Sequence, residues 1–133
     1  MQNQKIEEPG PTEKVILLVD DEPSITGFLS VLLKMNGYKV VSFNDSIEAL
    51  NAFRQSPKTI DLVITDQTMP GLTGLELTLE ILLLRPAMPI ILVTGFSEKL
   101  LHLDIIQLGI SAFMKKPFNN DLLIETVSEL LAA

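Results

Sequence analysis

Cysteine is absent from the sequence, which removes both disulfides and thiolate metal sites and fits a reducing compartment, the cytoplasm being the expected location. Basic charge is scarce. Ten Lys and Arg stand against 17 Asp and Glu, a formal charge of −7, so the footprint of a nucleic-acid binder is missing and direct DNA contact is not expected. No apolar run reaches the ~20 residues needed to span a bilayer, so no direct membrane partner is expected. The most apolar segments, 79–84 and 90–93, are separated by Arg85, Pro86 and Pro89. The polar start, with Pro9, Gly10 and Pro11, has no apolar stretch behind its charges, so residues 1–13 read as a flexible tail or linker and not as a signal peptide.

What is present is one domain's worth of core. The chain has 133 residues, 47% of them apolar and 20% charged, which suits one folded unit over 14–133 and leaves too little for two. Two hydrophobic rhythms alternate along it. Val15–Val19 is unbroken apolar sequence, as in a strand buried on both faces of a parallel sheet. Ile25, Phe28, Leu29, Leu32 and Leu33 then follow helical spacing, with Pro23 suited to the first turn and Gly37 to the C-terminal cap. Further strands are predicted over 38–43, 60–65, 89–94 and 111–114. Helices are predicted after Asp45, which has capping-box spacing to Glu48 and precedes Ile47, Leu50 and Phe53, and over 75–84 and 98–108. A closing helix over 121–131 is predicted to turn Leu122, Leu123, Val127 and Leu130 inward. Five β/α units imply an α/β domain with helices on both faces of a parallel sheet.

Ligands bind such sheets at the carboxyl ends of the strands. The first strand ends in Asp20-Asp21-Glu22, the third in Asp66, the fourth in Thr94 and the fifth in Lys115-Lys116-Pro117. Carboxylates gathered on one edge repel one another and call for protons or a cation. With only oxygen ligands on offer, a hard ion such as Mg²⁺ is favoured over zinc. A carboxylate beside such an ion can act as a nucleophile toward phosphorus, with charge on the equatorial oxygens neutralised by the metal, Lys116 and the Thr94 hydroxyl. Taken singly, each residue has a plainer use as a helix cap or a polar strand end; their joint occurrence on one edge favours the site.

The set Asp20-Asp21, Asp66, Thr94 and Lys116-Pro117-Phe118, spanning nearly all of residues 14–131, resembles the response-regulator receiver domains of two-component signalling. The resemblance implies a flavodoxin-like (βα)5 doubly wound sandwich with strand order 2-1-3-4-5. It makes Asp66 the phosphoacceptor. Asp21, Asp66 and the backbone carbonyl of Thr68 would hold Mg²⁺ directly, with Asp20 acting mostly through a bound water. Lys116, Thr94 and Gly95 would face the phosphoryl group, and Thr94 and Phe113 would form a switch that reshapes the fourth helix, fifth strand and fifth helix. The Lys116–Pro117 bond resembles one the family often keeps cis.

The same resemblance implies a sensor histidine kinase or a histidine phosphotransfer protein as donor, and an effector domain or a second copy on the switching surface. His102, the single histidine, reads as a helix-face residue away from the acidic edge, so the donor histidine belongs to a partner. Thr68 and Phe96 depart from the commonest family pattern beside the phosphoryl group, which bears on the lifetime of the modified state. The wording around Asp66 and Thr94-Gly95-Phe96 is similar to receivers of hybrid histidine kinases. Asp61 and Glu76 read as solvated charges.

Three rivals are weaker. A receiver acting only as a phosphorylation-independent scaffold would not need the intact Asp, Thr and Lys set. An aspartyl-nucleophile phosphatase would want an acid at the second residue after Asp66, where Thr68 stands. A nucleotide-binding protein of similar fold would want glycines after Val15–Val19, where the sequence is acidic.

Overall fold

A computed structural model describes residues 13–95 and 107–132. The element order is β1 (Val15–Val19), α1 (Pro23–Met35), β2 (Lys39–Phe43), α2 (Ser46–Gln55), β3 (Leu62–Asp66), α3 (Gly74–Leu84), β4 (Ile90–Thr94), β5 (Ala112–Lys115) and α4 (Asn120–Ala132). The helix predicted over 98–108 falls almost wholly outside the described residues. The five strands form one parallel sheet in the order β2-β1-β3-β4-β5, the flavodoxin-like order anticipated above.

The unbroken apolar run of β1 has a direct explanation. Successive side chains of a strand point to opposite faces, and both faces are covered. Val15, Leu17 and Val19 join Ala49, Leu50 and Phe53 of α2 and Leu77 and Ile81 of α3 in one core. Ile16 and Leu18 join Leu29 and Leu33 of α1 and Leu123 and Val127 of α4 in the other. We expect Leu17→Ala, at a fully buried position, to cost about 2–5 kcal/mol in urea unfolding. Phe28→Ala removes a larger side chain but one that is 55% exposed, and should cost clearly less.

That exposure sets Phe28 outside the buried stripe, and other expectations change as well. Leu122, expected to face inward, is 49% exposed, and Phe28 shares the helical spacing of α1 without sharing its burial. In α1 the buried line runs Thr26, Leu29, Leu33, and in α4 Leu123, Val127, which leaves both residues beside the stripe and not on it. Ile47, at the first turn of α2, is likewise half exposed while Leu50 and Phe53 fill the core. Asp61 and Glu76 are not simply solvated. Asp61 Oδ2 accepts a hydrogen bond from Val15 N at 2.8 Å, tying down the start of β1. Glu76 shares a reciprocal capping box with Thr73 at the start of α3, whereas at α2 the Asp45 side chain alone caps the first turn.

Pro23 does open α1, and Gly37 closes it with a φ of 94°. Its N–H donates to Lys34 O and that of Tyr38 to Leu33 O, the paired bonds of a left-handed helix stop. Strand ends fall within two residues of the predicted ones. Among the described residues, no helix is long and apolar enough to cross a membrane.

Candidate functional site: an acidic edge with one ammonium

Asp20 follows β1, Asp66 is the last residue of β3, Thr94 the last of β4, and Lys116 follows β5. Parallel pairing brings these ends to one edge. One carboxylate oxygen from each of Asp20, Asp21 and Asp66 lies within 4.8 Å of the others, Asp20 and Asp66 being buried and Asp21 exposed. Lys116 Nζ sits 3.3 Å from Asp20 Oδ2 and 3.1 Å from Asp66 Oδ1. Three carboxylates and one ammonium leave a surplus of two negative charges in a few ångströms. With oxygen-only donors and one carboxylate open to solvent, the cluster fits a hard divalent cation.

The ammonium is held strongly. Burial works against its charge, but the adjoining Asp66 and Asp20 carboxylates outweigh that effect and raise the Lys116 pKa above 10.5. Its contribution to stability is therefore complete below that pH and lost only as the pH climbs past the raised value, well clear of neutrality.

The loops are shaped to present these groups. Asp20 Oδ1 accepts from Glu22 N at 2.9 Å, folding the turn after β1. Gln67, next to Asp66, accepts from Gly74 N through its carbonyl and from Leu75 N through its side chain at 2.8 Å, so the loop closes onto the first turn of α3. Only glycine fits at position 74: a Cβ would be driven into the carbonyl oxygen of Asp66 and would lie 2.7 Å from Leu92 Cδ1. Thr68 is exposed on this loop. Thr94 is buried, and its hydroxyl reaches Met114 O only at 3.5 Å, a long and weak bond. Gly95 follows it and is half-buried, while Phe96 and His102 lie outside the described residues. Phe113 pairs with Leu92 across the sheet and packs partly buried against the α2–α3 core. The Lys116–Pro117 bond is cis.

Two polar residues at the end of β2 escaped the sequence reading. Asn44 Nδ2 donates to Asp20 O at 2.8 Å and to Thr26 Oγ1 at 2.9 Å. Ser46 Oγ donates to Pro70 O at 3.1 Å and accepts from Leu72 N at 2.9 Å. The other four strand ends carry acids, a hydroxyl or a lysine, whereas Asn44-Asp45-Ser46, between β2 and α2 on the same edge, carries only the pattern of a helix cap.

Fold and edge together define a class, the doubly wound α/β domain with an acidic cluster at the carboxyl edge of its sheet. The family model described as the response regulator receiver domain matches residues 16–128, and the chain belongs to that family. It is similar to the transcriptional regulatory protein GlrR of Escherichia coli (strain K12), 32% identical over 116 residues, which cover 87% of this chain and 26% of that protein. The chain thus spans about a quarter of that relative's length. A response regulator receiver domain protein from Clostridium thermocellum superposes with a TM-score of 0.82 at 30% identity, covering 90% of this chain and 94% of its own. The response regulator TrrA of Thermotoga maritima, solved in complex with Mg(2+)-BeF, matches at 38% identity with a TM-score of 0.78, over 89% of this chain and 99% of its own.

Proposed function

We propose that Asp66 is the phosphoacceptor of a two-component phosphorelay, that Mg²⁺ assists the transfer, and that phosphorylation resets a surface read by a partner. The observation that carries this is the position of Asp66: 7% exposed, on the central part of the acidic edge, with the Lys116 ammonium at 3.1 Å and the Asp20 and Asp21 oxygens beside it. One Asp66 oxygen would form the new bond to phosphorus as the donor's phosphorus–nitrogen bond breaks, and the leaving imidazole keeps the bonding pair and takes a proton.

Lys116 would shift from carboxylate to phosphoryl oxygen, holding charge as it develops. Thr94 has little to lose by turning its hydroxyl toward the same group, since its present bond is at the limit of length. Phe113, next in the sheet to Leu92, would follow into the space that Thr94 leaves, a shift between two packings. Gly95 leaves room for the donor. Asp21, Asp66 and the Thr68 carbonyl would hold Mg²⁺, with Asp20 through water, and the ion would neutralise charge on the transferring group. The Mg(2+)-BeF complex of TrrA supports the same chemistry here. The donor would be a sensor histidine kinase or histidine phosphotransfer protein, the setting the cytoplasm, and the outlet an effector domain or a second copy; residues 1–13 would tether the domain.

The direct test is intact-mass spectrometry after incubation with acetyl phosphate. We expect one phosphoryl adduct that requires Mg²⁺. Titration calorimetry should show Mg²⁺ binding that weakens at least about tenfold in Asp21→Ala, where a ligand and its charge are lost. No adduct in the wild type, with Mg²⁺ bound, would leave a scaffold; unchanged Mg²⁺ affinity in Asp21→Ala would put the ion elsewhere.

A further inference from the structure

The acids of the cluster stand at the ends of two neighbouring strands, and their like charges push apart the loops that follow. Asp20 and Asp21 come directly after β1, and Asp66 ends β3, where the loop to α3 begins. Lys116 neutralises part of the charge, but the surplus pushes the loops apart whenever no cation is present. Something must hold the spacing.

We infer that the β2–α2 junction is a clamp, with Asn44 and Ser46 as positioning residues that fix the two acid-bearing loops relative to each other. The reading rests on the phosphoacceptor role of Asp66 proposed above. Asn44 grips the first loop. Its amide donates both to the backbone carbonyl of Asp20 and to Thr26 Oγ1, at 2.8 and 2.9 Å, and so spans the turn between β1 and α1. Thr26 is buried and its hydroxyl donates a hydrogen bond to Pro23 O at 3.3 Å, while Asp20 N donates to Phe43 O at 3.2 Å, so the turn is tied to β2 from both sides.

Ser46 grips the second loop. It is 1% exposed, and its hydroxyl is used in both directions, toward Pro70 O and from Leu72 N, so it brackets Gly71. Gly71 has a φ of 80°, and a Cβ there would lie 3.2 Å from both Ser46 Oγ and Ile47 Cδ1, so the loop lies pressed against the start of α2. Only Asp45 separates the two gripping residues, and its carboxylate caps α2 by accepting from Ile47 N and Glu48 N at 2.8 and 3.0 Å. The junction is thereby made rigid, and the distance between its two grips sets the distance between the loops. Both side chains hold loop backbone, Asn44 the carbonyl of Asp20 and Ser46 that of Pro70 and the amide of Leu72.

The clamp should govern cation affinity more than chemistry. In Asn44→Ala and in Ser46→Ala we expect the Mg²⁺ dissociation constant to rise about tenfold, the effect usual for groups that orient ligands without being ligands. The rate of adduct formation from acetyl phosphate should fall at low Mg²⁺ and return close to wild type at saturating Mg²⁺. Asp61→Asn supplies the control, because it loosens the start of β1 at the opposite edge of the sheet and leaves both loops alone. If Ser46→Ala does not fold, Asn44→Ala carries the test, since that side chain is exposed. Mg²⁺ affinity within twofold of wild type in the folded clamp variants, with binding still weakened in Asp21→Ala, overturns the clamp and spares the phosphoacceptor reading. An equal loss in Asp61→Asn overturns it as well, by tracing the effect to general stability. A wild-type protein that takes neither Mg²⁺ nor phosphoryl overturns the phosphoacceptor reading and the clamp with it.

Discussion

Asp66→Asn should fold as the wild type does and take up no phosphoryl group from acetyl phosphate at any Mg²⁺ concentration. An amide matches the carboxylate in shape, so the tight packing of the β3 end against Gly74 and Leu92 is kept. It lacks the anionic oxygen that must attack phosphorus, so the adduct should fall to background. Stability should change by no more than about 1 kcal/mol, because a favourable pairing with Lys116 and an unfavourable crowding with Asp20 and Asp21 disappear together. Intact mass and urea unfolding on the same samples read both quantities. Retained labelling at full stoichiometry would remove Asp66 from the role.

Lys116→Ala should split two properties that usually fall together. The ammonium is 3.1 Å from Asp66 and 3.3 Å from Asp20, so it competes with any cation for the same oxygens. Its removal deepens the surplus negative charge, and Mg²⁺ should bind several-fold more tightly, roughly what losing one nearby positive charge in a half-solvated site permits. Adduct formation should slow on the order of a hundredfold, since one fixed donor to the developing charge is gone. In the absence of Mg²⁺ the variant should also be less stable, by about 1–3 kcal/mol, as two buried carboxylates lose a charged partner. Calorimetry and timed mass spectra separate the effects. Weaker Mg²⁺ binding together with slower transfer would mean that Lys116 organises the carboxylates and does not compete for them.

The strands were legible because a two-faced parallel sheet leaves a plain trace: Val15–Val19 is apolar at every position and Ile90–Thr94 at every position but the last. The helical faces were less legible. Phe28, Ile47 and Leu122 are apolar residues at helical spacing, yet a 3.6-residue period cannot say where a stripe ends when neighbouring positions are apolar too. Asp20, Asp66, Thr94 and Lys116 could be gathered from sequence because strand ends in this topology share an edge. Asn44 and Ser46 could not be weighed the same way. They act through backbone atoms of Asp20, Pro70 and Leu72, and no residue type or spacing announces a contact with another loop's carbonyl. Asp61 failed for the same reason: its partner is the amide of Val15, distant in sequence and featureless in type.

The double-faced burial of β1 also bears on how the chain finds its alignment. In a sheet with one wet face, sliding a strand by one residue exposes its apolar side and is penalised at once. Here such a slip would merely trade the side chains of one core for those of the other, since β1 is apolar throughout. Hydrophobicity is nearly blind to that error. The polar residues at the two ends of the strand are not: Asp61 must meet the amide of Val15, and a one-residue slide would draw Asp20 into the sheet or push Val19 out among the acids. The polar groups at the two ends of the strand thus serve as registration marks, and the acidic edge helps to decide which of several equally greasy alignments becomes the native one.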